Sequence, residues 1–190
     1  MKVIFLDNDG VICLGMNHGS RFKKQKRSVA ETVADGELPI EARFDNFDAK
    51  AIKVLNAILL ETDAEIIVSS DWRLWATLDE LGQYYESQGI IKKPIGFTPV
   101  LKDFDPLMYS ELYPKHMFEE IRIIEVNEWL KNNEVESWVA IDDMDLGRFI
   151  LDDGSTKIGL ECFVRTPRLF EGIKQSGAKE KITSFLNENN

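Results

Sequence analysis

The feature that most constrains this chain is the run Lys2-Val3-Ile4-Phe5-Leu6, which stops abruptly at Asp7. Four consecutive large apolar residues without alternation leave no face for water, so they suit a strand buried on both sides of a parallel sheet. The pattern recurs at Ala64-Glu65-Ile66-Ile67-Val68, closed by Ser69-Ser70-Asp71, and at Trp138-Val139-Ala140-Ile141, closed by Asp142-Asp143. Leu160 to Val164 reads as a last strand, followed by a C-terminal helix. Between these runs Ile52, Leu55, Ile58 and Leu59 recur at helical spacing behind Asp48, a capping residue type. Leu74, Trp75, Leu78, Leu81 and Tyr85 mark a second helix ending before Gly89. Phe118, Ile121, Ile124 and Leu130 mark a third, from about His116 to Lys131. Lys93 to Val100, interrupted by two prolines, reads as a short strand or loop. Strands alternating with helices predict an α/β fold, a doubly wound parallel sheet built of right-handed βαβ units, in which ligands bind beyond the carboxyl ends of the strands. The expectation is a single domain over residues 1–190, with residues 12–47 as its one long irregular stretch and at most a short flap.

Met1 leads directly into the first apolar run, so neither a signal peptide nor a membrane span of about 20 apolar residues is expected. Cys13 and Cys162 are too few for a disulfide framework, and the expected location is cytoplasmic, although a secreted effector would look the same. The net charge of −10 repels polyanions on average and disfavours a dedicated nucleic-acid binder. Arg21 to Arg27 is the exception, with five basic residues and no acid.

Asp7-Asn8-Asp9-Gly10-Val11 places two carboxylates two residues apart, beside a glycine that lets the backbone turn sharply and approach a ligand. One carboxylate can bind a hard cation and attack phosphorus while the other protonates the leaving oxygen. Solvated acids in a turn would look the same in this segment alone. What adds weight is the order of later elements: a serine ending a second strand, a basic residue before a later helix, and an acidic pair ending another strand. With these motifs the chain resembles the haloacid dehalogenase-like phosphohydrolases. Ile66-Ile67-Val68-Ser69-Ser70-Asp71-Trp72-Arg73, Thr98-Pro99, Arg122-Ile123-Ile124-Glu125-Val126 with Trp129-Leu130, and Ile141-Asp142-Asp143 resemble in particular the capless subgroup associated with RNA-repair proteins.

The resemblance implies that Asp7 is the nucleophile forming an aspartyl-phosphate and that Asp9 is general acid, then base. It implies a Mg²⁺ ion held by Asp7, the backbone carbonyl of Asp9 and Asp142, with Asp143 close by. Ser69 would hydrogen-bond a phosphoryl oxygen, and Arg122, with Lys115 as its rival, would neutralise the transition-state charge. Gly10, Ser70, Lys23 and Lys24 are the remaining candidate substrate-binding residues. The four tryptophans read as packing, and His18 and His116 lack metal-ligand spacing.

Two other chemistries are less well supported. Cys162 and Arg168 have the spacing of cysteine-dependent phosphatases, but no glycine lies between them and Pro167 removes a backbone donor. A receiver domain uses similar residues in a different order. A phosphate-binding interaction module without turnover is the alternative of another class. The lack of a sizeable cap insertion implies an open site and a macromolecular substrate. Net charge favours a phosphoprotein, with phosphotyrosine plausible, over a polynucleotide end or a nucleotide. The basic run is expected to steer the anionic substrate. Replacing Lys23, Lys24 and Lys26 by alanine should therefore raise KM and flatten its dependence on salt, and unchanged values of both would refute steering.

Overall fold

The computed structural model describes residues 1–15, 39–101, 116–150, 155–167 and 170–188. The first apolar run is β1 (Lys2–Leu6), and Val3, Ile4, Phe5 and Leu6 are all fully buried. Chain order continues with α1 (Ile40–Arg43), α2 (Ala49–Thr62), β2 (Glu65–Val68), a 3₁₀ turn at Asp71–Leu74, α3 (Leu78–Ser87) and β3 (Gly96–Phe97). It then runs through α4 (Met117–Lys131), β4 (Ser137–Asp142), β5 (Arg148–Ile150), β6 (Thr156–Ile158), β7 (Phe163–Arg165), a 3₁₀ turn at Gly172–Lys174 and α5 (Ala178–Asn187).

Five strands form one parallel sheet in the order β3-β2-β1-β4-β7, as the unbroken apolar runs predict. The chain winds outward from β1 through β2 to β3, then returns to the other side of β1 for β4 and β7. Winding direction thus reverses between β1 and β4, which opens a crevice beyond their carboxyl ends.

Side chains alternate along β1 and feed two cores. Ile4 and Leu6 join Leu55 and Ile58 of α2 and Ile182 and Leu186 of α5. Val3 and Phe5 join Ile123 and Val126 of α4, where Phe5 meets Trp129 edge-on at 5.3 Å.

Several details differ from the sequence reading. The helix expected from Leu74 starts at Leu78, where Thr77 and Glu80 form a reciprocal capping box. The residues before it form the tighter 3₁₀ turn, with Trp72 and Arg73 buried. The last parallel strand is shorter than expected, and β5 and β6 form an antiparallel pair that the sequence reading lacks. Within residues 12–47, Ile12, Phe44 and Phe47 lie in the core. In α4 the expected helix is present with a different buried face. Phe118 and Ile124 are 38% and 49% exposed, whereas Arg122, Ile123, Glu125 and Val126 are buried.

Asp48 caps α2 as its residue type predicts, its Oδ1 accepting from the backbone N–H groups of Lys50 and Ala51 at 2.9 and 2.8 Å. Asp48→Ala should cost about 1 kcal/mol of stability in chemical denaturation. A loss below about 0.3 kcal/mol would mean that the cap contributes little to the folded state.

Candidate active site

Register determines what meets at the crevice. Leu6 pairs with Val68 on one side and Ile141 on the other, so the next residues along are Ser69, Asp7 and Asp142. Backbone bonds continue the ladder one step past the strands: Asp7 N–H donates to the Ile141 carbonyl at 3.0 Å, and Ser69 N–H donates to that of Leu6 at 2.9 Å. Thr98 N–H donates to the Val68 carbonyl at 3.1 Å, which adds a second hydroxyl residue to the row. The row of Ile67, Phe5 and Ala140 is apolar and packs under α4; two residues later the same face carries Ser69, Asp7 and Asp142.

Asp7, Asp142 and Asp143 each offer a carboxylate oxygen, all within 4.8 Å of one another. Asp143 can approach because residue 10 is glycine. Gly10 has φ of +73°, and a Cβ there would lie 2.7 Å from the Cβ of Asp143. An all-carboxylate donor set suits a hard divalent cation and not a soft one. The electrostatics fit such an ion as well. Burial, then the neighbouring Asp142 charge, push the Asp7 carboxyl well above the usual range, with Arg122 pulling the other way. Burial and Asp143 push Asp142 up to about 7 against the same Arg122.

Arg122 reaches this cluster from α4. Its Nη1 lies 3.6 Å from Asp7 Oδ1 and 3.4 Å from Asp142 Oδ2, and its Nη2 lies 3.2 Å from Asp71 Oδ1. Burial opposes its charge, but Asp142, Asp7 and Asp71 together hold it firmly protonated. One turn along the same helix, Glu125 pairs with Arg73 at 2.5 Å, both side chains buried. Arg73 also donates to the Ser70 carbonyl at 2.8 Å, tying the 3₁₀ turn to the end of β2. The hydroxyls of Ser69, Ser70 and Thr98 are buried without a hydrogen-bond partner among the described residues. Unsatisfied buried hydroxyls at the end of a strand next to this carboxylate cluster are donors available to an oxyanion.

The Asp7–Cys13 loop is held from within. The Asn8 carbonyl accepts from the N–H groups of Val11, Ile12 and Cys13, and its side-chain oxygen accepts from the Tyr85 hydroxyl. Asp9 Oδ2 accepts from the indole N–H of Trp72 at 3.0 Å.

Of the residues singled out from sequence, the structure gathers Asp7, Asp142, Asp143, Gly10 and Arg122 into one site. Asp9 lies two residues from the nucleophile candidate, with its carboxylate outside the three-carboxylate group; its expected metal contact is through the backbone carbonyl. Ser69 and Ser70 end β2 with their hydroxyls as described above. Lys23, Lys24 and Lys115 lie outside the described residues. Asp71, Arg73, Glu125 and Trp72 are the residues whose parts the sequence reading missed. Their signals were present: Asp71-Trp72-Arg73 directly follows the serines, and Arg122 and Glu125 share a helix face at i, i+3.

A five-stranded parallel sheet carries three acids at its switch point with an arginine against them, and the family match that follows makes this a phosphohydrolase-type domain. The family model described as the HAD domain in Swiss Army Knife RNA repair proteins matches residues 3–158, and the chain belongs to that family. No curated protein and no solved structure matches the chain. No helix among the described residues is long and apolar enough to cross a membrane.

The raised carboxyl groups give a pH-dependent signature. With metal chelated, the folded chain retains protons on Asp7 and Asp142 that the unfolded chain releases near pH 4, so the stability from this pair is full below about pH 4. The share from Asp142 is lost as pH rises through about 7, the value to which its carboxyl is pushed. In EDTA, wild type should thus lose thermal stability relative to Asp142→Asn between about pH 5 and about pH 8, and millimolar Mg²⁺ should restore it. A difference that stays flat with pH would contradict this account.

Proposed function

We propose that this chain is a Mg²⁺-dependent phosphomonoesterase that works through an aspartyl-phosphate on Asp7. The observation that carries the reading is the convergence of Asp7, Asp142, Asp143 and Arg122 at the β1/β4 crevice. Asp7, Asp142 and Asp143 would hold the ion with the Asp9 carbonyl, and the bound ion would offset phosphoryl and carboxylate charge.

The chain's own residues supply the rest. Asp7 attacks phosphorus and the ester P–O bond breaks, while the Asp9 carboxyl gives its proton to the departing oxygen. Water then attacks the phosphoryl group, Asp9 takes its proton, and the bond to Asp7 breaks to release phosphate. Ser69 and Ser70 donate to phosphoryl oxygens. Arg122 sits 3.2–3.8 Å from its carboxylates, those of Asp71, Asp142, Asp7 and Glu125. Nη2 stays on Asp71, and Nη1, which faces Asp7 and Asp142, is the donor that would turn to a phosphoryl oxygen.

For the substrate, the family's printed association with RNA repair favours a phosphate at a polynucleotide end. The phosphoprotein favoured by net charge rests on an average that the basic run Arg21–Arg27 locally reverses. We place the protein in the cytoplasm. The test is a Mg²⁺-dependent screen of 3′- and 5′-phosphorylated oligonucleotides, phosphopeptides and small phosphate esters. Oligonucleotide ends should turn over fastest, and Asp7→Asn should lower kcat by at least about 10³-fold. Retained activity in Asp7→Asn overturns the mechanism; preference for phosphopeptides overturns only the substrate assignment.

A further inference from the structure

We propose that Trp72 is a positioning residue for proton transfer, its indole N–H orienting the Asp9 carboxyl group. The inference rests on the reading of Asp9 as general acid. Trp72 is fully buried and its Nε1 donates to Asp9 Oδ2 at 3.0 Å. The indole cannot swing away. It stacks on Phe44 at 4.2 Å with an interplanar angle of 9°, and on Phe47 at 5.3 Å and 22°. Its backbone belongs to the 3₁₀ turn that Asp71 and Arg73 pin from both sides, through Arg122 and Glu125.

A rigid donor of this kind does two things. It fixes the plane of the Asp9 carboxyl group, and with it the direction in which the carboxyl group meets the substrate. The proton passes from the Asp9 carboxyl group to the ester oxygen as the P–O bond breaks, leaving Asp9 as carboxylate. In the second half-reaction the carboxylate recovers a proton from the attacking water, so the cycle closes without another reactant. A packing tryptophan needs none of this. Phenylalanine would fill most of the same space and stack on the same rings, but it has no N–H.

The test exploits the leaving group. A p-nitrophenolate leaves without protonation, whereas an alkoxide needs the acid. In the full chain with Mg²⁺, Trp72→Phe should lower kcat/KM for an alkyl phosphate such as β-glycerophosphate by about tenfold or more, yet change that for p-nitrophenyl phosphate by less than about threefold. Equal losses on both substrates, or none on either, overturn the proposal. Asp9→Ala separates the two readings: if it lacks the same leaving-group pattern, the general-acid assignment itself has failed. A second measurement is independent of turnover and of how well Trp72→Phe folds. In ¹⁵N-labelled protein the Trp72 indole cross-peak should shift in Asp9→Ala while those of the other three tryptophans stay in place. An unmoved Trp72 peak removes the hydrogen bond and the proposal with it.

Discussion

The parallel register of β1 against β4 sets Asp7 beside Asp142, two buried carboxylates that repel each other. Unit charges about 4 Å apart interact by about 4 kcal/mol at an effective dielectric of 20, so such a pair needs positive charge nearby. Arg122 supplies one charge from α4, at similar distance from both acids. Asp143 then adds a third carboxylate through the gap left by Gly10. Three acids against one arginine leave a net negative hollow lined by oxygen, the environment in which a divalent cation is most strongly favoured. Much of the surrounding structure follows from meeting that need.

Arg122 is itself held in a chain of charges. Asp71 takes its second nitrogen, and Glu125, on the same face of α4, turns toward Arg73, which in turn holds the Ser70 carbonyl. Five residues of one segment, Ser69 to Arg73, therefore connect the buried hydroxyls of Ser69 and Ser70 to the arginine. Buried ion pairs add little stability for their desolvation cost. What this network does provide is a fixed geometry between the end of β2 and the helix that faces it.

That network also explains which parts were legible in the sequence. The strands of the central sheet could be read because both their faces are buried, which leaves an apolar run, and each run ended at a polar residue that turned out to line the crevice. Their lateral order could not be read, because which strands neighbour each other depends on crossovers that no local pattern encodes. The face of α4 was misread for a more specific reason. Periodicity assigns apolar residues to the core and charges to water, yet here Arg122 and Glu125 turn inward to serve the site while Ile124 turns out. The Asp71–Leu74 turn was hidden likewise, its tryptophan and leucine blending into the helix that starts later. Strands β5 and β6, three residues each, are too short to show a period.

The region after Asp7 gains a different meaning. Phe44 and Phe47 lie in a stretch whose sequence reads as irregular, yet they form the aromatic wall against which Trp72 is stacked. Hydrophobic burial is non-directional and cannot by itself aim a carboxyl group. Stacked rings can immobilise an indole, and the indole's single N–H then converts packing into direction. In a water-poor setting such a bond is stronger than in solvent, and no reorganisation is needed when the proton moves. The core of this protein therefore reaches the crevice along two routes: a charged one through Arg122 to Asp7, and an aromatic one through Trp72 to Asp9. Both pass through the residues immediately following Ser69 and Ser70.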